Sequence, residues 1–166
     1  MATITLQGNE VHTNGDLPSM GNKSPDFLLV NKDLKNIKLN EFSGKKKLLS
    51  IVPSLDTPVC AISTKKFSEF AAQRDDVVVL IISADLPFAM SRFCNSESVE
   101  NVITLSMMRN KDFARDYGIL IQDGPLEGIS ARAVVVLDAD NDVIYSELVS
   151  EISDEPDYQA ALDALA

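Results

Sequence analysis

Two cysteines, Cys60 and Cys94, are the only thiols in the chain, and the residues around the first have a spacing suited to nucleophilic chemistry. Cys60 closes the stretch Pro53-Ser54-Leu55-Asp56-Thr57-Pro58-Val59-Cys60. An apolar run before it, Leu48 to Val52, reads as a buried strand, and the segment after it, Ala61 to Ala72, reads as a helix. Thr57 is placed to cap that helix, and Pro58 suits its first turn because proline there gives up no needed N–H. Cys60 then falls among unpaired backbone N–H groups at the positive end of the helix dipole, where an anion is favoured. A thiolate is such an anion, and helix N-termini lower cysteine pKa values below the free value of about 8.5. The position reads as a reactive cysteine. The plainer alternative, a small core hydrophobe after a strand, stands beside it.

Pro-x-x-x-Thr-x-x-Cys, carried here by Pro53, Thr57 and Cys60, resembles the active-site pattern of the peroxiredoxins. The fuller stretch from Ser54 to Cys60 is similar to their bacterial thiol peroxidase branch. Two further matches lie far along the chain: a second cysteine on a later helix, in Phe93-Cys94, and an arginine opening a late strand, in Ala131-Arg132-Ala133. The resemblance covers nearly the whole chain, including a short hairpin before the core. It implies a thioredoxin-like fold and reduction of hydrogen peroxide and organic hydroperoxides, often by a homodimer. It also implies that Cys94 resolves oxidised Cys60 as an intramolecular disulfide, which thioredoxin then reduces. No metal, flavin or haem is implied as a cofactor.

Cleaving a peroxide O–O bond requires a deprotonated nucleophile, donors that position the peroxide, and stabilisation of the leaving oxygen. Cys60 would supply the nucleophile. Thr57, three residues earlier, can aim its hydroxyl at the sulfur or the peroxide. Arg132 offers a permanent charge and a planar fork of donors. Pro53 lacks an N–H and, by the resemblance, shapes and shields the pocket, while backbone N–H groups near Val59 and Cys60 would complete it. Each has a bland reading as well: Thr57 as a cap, Arg132 as a surface residue at a strand start, Pro53 as a strand end, and Cys94 as a buried thiol beside Phe88 and Phe93. Arg92 and Arg109 are weaker candidates for charges lining the pocket, and neither is named as catalytic. Phe27, Phe88, Met107 and Met108 could line an apolar approach for alkyl or lipid hydroperoxides, although such residues are more often core.

The elements that must hold these residues follow from length and pattern. A chain of 166 residues, 45% apolar and 24% charged, fits one globular domain spanning residues 1–166. A net charge of −10 argues against nucleic-acid and anionic-membrane partners. The N-terminus lacks the basic start and apolar core of a signal peptide, and no apolar run is long enough to cross a membrane, so a cytoplasmic protein is expected. In that compartment two cysteines suggest catalysis or redox sensing, and neither their spacing nor the single histidine, His12, suits a metal.

Thr3 to Gln7 and Glu10 to Thr13 alternate around Gly8-Asn9, predicting an N-terminal hairpin over about residues 3–13 with glycine first in its turn. His12 reads as a surface strand residue. Phe27–Val30 and Ile37–Leu39 read as short strands. Lys45, Lys46 and Lys47 read as the wet end of the next strand. Val77–Ser83 is a continuous β-branched run expected at the centre of a sheet covered on both faces. Asp85 is placed to cap a helix over Leu86–Cys94. Val102–Leu105 reads as a strand, Lys111–Tyr117 as a helix closed by Gly118, and Ile119–Ile121 as a further short strand. Ala131–Leu137 and Val143–Glu147 read as an antiparallel pair, and Tyr158, Ala161, Leu162 and Leu165 mark a terminal amphipathic helix. This order predicts an α/β fold with a mixed central sheet flanked by helices.

Three other activities fit part of the pattern. A general thiol–disulfide oxidoreductase would normally carry Cys-x-x-Cys, but Val59 and Ser63 stand at the relevant positions. A non-enzymatic redox sensor would oxidise once without turnover. A structural disulfide protein would be expected to carry an export signal.

Overall fold

Three apolar runs form the middle of the sheet, and each divides its side chains between two cores. In the computed structural model, which describes residues 1–166, they are β5 (Lys46–Ile51), β6 (Val77–Ser83) and β8 (Ala133–Leu137). Leu49 and Ile51 of β5, Leu80 and Ile82 of β6, and Val135 of β8 face one core. Their neighbours Leu48, Val79, Ile81, Val134 and Val136 face the other. Because successive strand residues point to opposite faces, a continuous apolar run is stable only where both faces are covered.

The complete sheet has seven strands in the order β4-β3-β7-β6-β5-β8-β9. Its remaining strands are β3 (Leu28–Val30), β4 (Asn36–Lys38), β7 (Ile103–Ser106) and β9 (Val143–Leu148). β5, β6 and β7 run parallel, whereas β8 joins β5 antiparallel and β9 joins β8 antiparallel. The expected mixed sheet is thus present. On one face lie α1 (Pro58–Ala71), α2 (Pro87–Ser96) and α4 (Tyr158–Ala164), contributing Phe67, Met90, Phe93 and Ala161 to a common core that Leu165, just after α4, completes. On the other lie α3 (Asp112–Asp116) and an N-terminal hairpin of β1 (Thr3–Leu6) and β2 (Asn9–His12), which inserts Ile4 and Val11. Phe27 packs edge-on against Phe113 in this second core, 5.6 Å between ring centres.

Several sequence expectations shift in instructive ways. The hairpin turns on Gln7-Gly8, not Gly8-Asn9, with φ of 51° and 82°. Glycine is therefore second in a turn that needs positive φ at both positions. Ile119–Ile121 forms only isolated bridges, Leu120 to Ser130 and Ile121 to Thr13. Gly118, at φ 72°, closes α3 as expected, and a Cβ there would lie 2.2 Å from the carbonyl oxygen of Asp16. Asp85 is not the cap of α2: that position belongs to Leu86, and the Asp85 side chain turns elsewhere. Lys47 is not wet but fully buried; its Nζ donates to Asn141 Oδ1 at 2.6 Å, deep in the β8–β9 turn. Burial lowers its pKa, and the nearby Asp138 and Asp140 charges oppose that shift. The long stem of lysine lets an ammonium reach the turn from a buried strand position.

Candidate active site

Strand β5 ends at Ile51, and Val52 continues toward the site with its N–H on the Ile82 carbonyl. Pro53 follows, buried and without a donor to satisfy, and the chain crosses residues 54–57 before α1 begins at Pro58. Cys60 is the third residue of α1 and is fully buried. The N–H groups of Val59 and Cys60 find no acceptor within the protein, as expected for the first turn of a helix whose cap side chain is engaged elsewhere.

That side chain is Thr57. It occupies the cap position but makes no cap hydrogen bond. Its hydroxyl lies 2.7 Å from Cys60 Sγ and 3.0 Å from the carbonyl oxygen of Ser54. A hydroxyl has one proton, so the two contacts cannot both be donated at once. With a thiolate at position 60 the proton points at sulfur. With a thiol, it can point at Ser54 while the S–H donates to the Thr57 oxygen.

Arg132 comes from the opposite end of the chain. It precedes β8, is 3% exposed, and sends Nη1 to within 2.9 Å of Cys60 Sγ. Its Nε donates to the carbonyl of Ile152 at 2.8 Å, and its own carbonyl accepts from Val149 N–H. The segment carrying these partners is held by the hairpin: Thr5 N–H donates to Ser150, and Ile152 N–H donates to Thr5. Glu151 adds a clamp by accepting from Gly8 N–H, Thr5 Oγ1 and Ser153 N–H, and these bonds pull its pKa down to about 2. The N-terminal hairpin thus sets the carbonyl that orients Arg132. Sequence patterns could not reveal this link, because the acceptor is a backbone atom.

Asp85 is the other residue with an unexpected part. Its carboxylate accepts from Ser54 Oγ at 2.8 Å, Leu55 N–H at 2.7 Å and Ser83 Oγ at 2.8 Å, tying the loop before Cys60 to the end of β6. The local signal had a different meaning: an acid just before Leu86-Pro87 reads as a helix cap, whereas its partners are Ser83, two residues earlier, and Ser54 and Leu55, some thirty residues earlier.

A groove of about 700 Å³ opens beside the site. Thr57, Pro58, Leu55, Phe88 and Arg92 are among its lining residues, so Thr57 is shared between the groove and the buried sulfur. Of the four residues suggested as an apolar approach, Phe88 alone belongs to it. Phe27 and Met107 are core, and Met108 is exposed outside the groove. Arg109 is also elsewhere, bonded to Asn36 and the Leu34 carbonyl.

Cys94 lies on α2 and is half-buried in a different cavity, of about 630 Å³, together with Lys32, Val99 and Thr104. Both thiols are free. Burial pushes the Cys94 thiol up, and Lys32 offsets this in part. The two sulfurs therefore differ chemically: one faces a buried guanidinium and a hydroxyl, and the other is kept protonated by desolvation. His12, half-buried at the end of β2, bonds Asp123 through Nδ1 at 2.7 Å and takes no part in either sulfur site.

A buried sulfur with a cation, a hydroxyl and unpaired amides around it is equipped to attack an electrophile that can accept hydrogen bonds. Comparison with known proteins gives the same direction. The redoxin family model matches residues 19–162. A thiol peroxidase of Mycobacterium bovis is 52% identical over 165 residues, 99% of each chain. A peroxiredoxin-like protein of Aquifex aeolicus superposes with a TM-score of 0.91 at 40% identity, covering 99% of this chain and 96% of the other. A thiol peroxidase of Chromobacterium violaceum superposes with a TM-score of 0.90 at 27% identity, covering 98% and 94%. With this match extending over the fold and both ends of the site, the chain belongs to the redoxin family, among its bacterial thiol peroxidases.

Proposed function

We propose that residues 1–166 act as one catalytic domain that reduces hydroperoxides through Cys60 and Cys94, with thioredoxin as the external reductant. The observation that carries this reading is the pair of donors on Cys60 Sγ, Thr57 Oγ1 at 2.7 Å and Arg132 Nη1 at 2.9 Å. Together they favour a thiolate and leave donor capacity for an incoming oxygen.

The Cys60 thiolate attacks one peroxide oxygen in line, the O–O bond breaks, and its electrons leave with the second oxygen. That oxygen takes a proton and departs as water or an alcohol, and Cys60 becomes a sulfenic acid. Arg132 and the free N–H groups of Val59 and Cys60 support the negative charge that moves onto oxygen. By the family resemblance, Pro53 shapes the pocket and shields the sulfur from bulk water. The Cys94 thiol then attacks the sulfenic sulfur, forming an S–S bond and releasing water. Because Cys94 sits on another helix in another cavity, the turn carrying Cys60, the Cys94 helix, or both must unwind first. Unwinding also exposes Cys94 to water, which removes the burial that holds it protonated. A dithiol such as thioredoxin reduces the exposed disulfide and restores both thiols. By its family resemblance the protein is expected to work in the cytoplasm as a homodimer.

The test is NADPH consumption with thioredoxin, its reductase and a hydroperoxide. Wild type should cycle, Cys60→Ser should be inactive, and Cys94→Ser should form a sulfenic acid without thioredoxin-driven turnover. A Cys94→Ser variant that cycles as fast as wild type would remove Cys94 from the mechanism.

A further inference from the structure

We propose that Asp85 is a latch that holds the Cys60 loop in its peroxide-reactive shape and delays disulfide formation with Cys94. The proposal rests on the two-cysteine reading above.

Asp85 is anchored on its own side by the sheet. Its N–H donates to Ser83 Oγ at 3.1 Å, and its carbonyl accepts from Ser106 Oγ at 2.5 Å, so the ends of β6 and β7 fix its backbone. Its carboxylate reaches across to the loop before α1, where it accepts from Ser54 Oγ and Leu55 N–H. Bonds to an ionised acceptor are roughly twice as strong as neutral ones. From Ser54 the connection continues to the sulfur. The Ser54 carbonyl receives the Thr57 N–H and faces its hydroxyl, which lies 2.7 Å from Cys60 Sγ. Asp56 N–H closes the loop onto Ser54 Oγ at 3.1 Å. One carboxylate therefore governs a relay of Asp85, Ser54, Thr57 and Cys60. Asp85 also stands two residues before Pro87, the first residue of the helix that carries Cys94. It is the junction between the two cysteine-bearing segments.

The closed latch has two opposed consequences. It keeps Thr57 aimed at the sulfur, which serves the attack on peroxide. It also resists the unwinding that brings Cys60 to Cys94. While the sulfenic acid waits, a second peroxide can oxidise it to the sulfinic acid, with the peroxide supplying the oxygen and leaving as water or alcohol. The strength of the Asp85 contacts should therefore set the partition between disulfide and sulfinic acid. Asp85 is a positioning residue here, acting through Ser54 and Thr57.

Ser54→Ala removes the bond to Asp85 together with the one from Asp56 N–H, and keeps the carboxylate. Asp85→Asn keeps the size and weakens the remaining bonds. For each full-length variant, stopped-flow measurement with hydrogen peroxide gives the second-order sulfenic step and the first-order disulfide step. Intact mass gives the sulfinic fraction of Cys60 as peroxide rises. The latch predicts a slower sulfenic step, a disulfide step faster by about fivefold, the factor carried by one lost hydrogen bond, and a smaller sulfinic fraction. Wild-type cycling with an unchanged or slower disulfide step in both variants overturns the latch alone. Parallel loss of both rates, tracking a fall in thermal stability, overturns it in favour of a purely structural role. A wild type that forms no bond between Cys60 and Cys94 overturns the two-cysteine reading, and the latch with it.

Discussion

Arg132 Nη1 donates to Cys60 Sγ at 2.9 Å from a position only 3% exposed, and Arg132 takes part in none of the molecule's ion pairs. A buried guanidinium without a carboxylate partner is costly, and the group facing it that can take a negative charge is the sulfur. Tyr158, near enough to feel the Arg132 charge, is held in its neutral form mainly by burial and by Glu155. The site is therefore arranged so that ionising Cys60 neutralises a charge already present.

Arg132→Lys tests this arrangement. Lysine keeps the charge but lacks the planar fork that bonds Ile152 and the sulfur at once. The rate of the sulfenic step should fall by about 10²-fold, the usual cost of losing one donor to developing charge. Stopped-flow measurement with hydrogen peroxide checks this, and an unchanged rate would mean that Arg132 does not support the reacting sulfur.

Thr57→Val separates catalysis from helix capping. Loss of a true cap costs about 1 kcal/mol of stability. Thr57 makes no cap bond, and the Ser54 carbonyl keeps the Thr57 N–H, so the thermal midpoint should stay close to wild type. The sulfenic step should slow by about 10²-fold, and Thr57→Ser should restore most of it. A large fall in midpoint with little change in rate would make Thr57 a cap after all.

Glu151→Gln probes the clamp between the hairpin and the segment that holds Arg132. Hydrogen bonds from Ser153 and Gly8 lower the Glu151 pKa from 4.5 to about 2. A carboxylate with a depressed folded pKa contributes stability above its unfolded pKa and loses it as pH falls through its folded pKa. Urea unfolding should show wild type more stable than Glu151→Gln above pH 4.5, with the gap closing as the pH approaches about 2. A gap independent of pH would show that the carboxylate charge adds nothing.

Lys47 should respond to shape more than to charge. Lys47→Ala leaves a cavity in a fully buried position and should cost about 3 kcal/mol. Lys47→Met fills the same path and should cost about 1 kcal/mol, because volume-conserving changes are tolerated best. Thermal unfolding of both variants measures the difference. Equal losses would mean that the ammonium bond to Asn141 dominates.

Much of this protein was legible in local patterns. The apolar runs around Leu48, Val79 and Val135 announced buried strands, because the two-residue alternation of a strand leaves a continuous run only one stable place. Thr57, Pro58 and Cys60 announced a cysteine in a first helical turn, because capping and proline preferences act between neighbours. The same local logic misread Asp85 as a cap, Lys47 as wet and Gly8 as the first turn residue. For Asp85 and Lys47 a partner distant in sequence decided the outcome, while for Gly8 the pairing of Leu6 with Asn9 set the turn one residue earlier.

The site itself joins residues that no short window contains. Cys60 and Arg132 are 72 positions apart, Ser54 and Asp85 are 31 apart, and Lys47 and Asn141 are 94 apart. Periodicity and propensity describe what a segment can become, and from these the α/β order and the place of Cys60 in a first helical turn follow. Which donor reaches the sulfur, and which carboxylate holds its loop, depends on the pairing of β5 with β6 and β8 and on the hairpin docked against Ser150 and Ile152. Those pairings are set by the burial of two cores across the whole chain, so the chemistry of the sulfur is settled by packing at a distance.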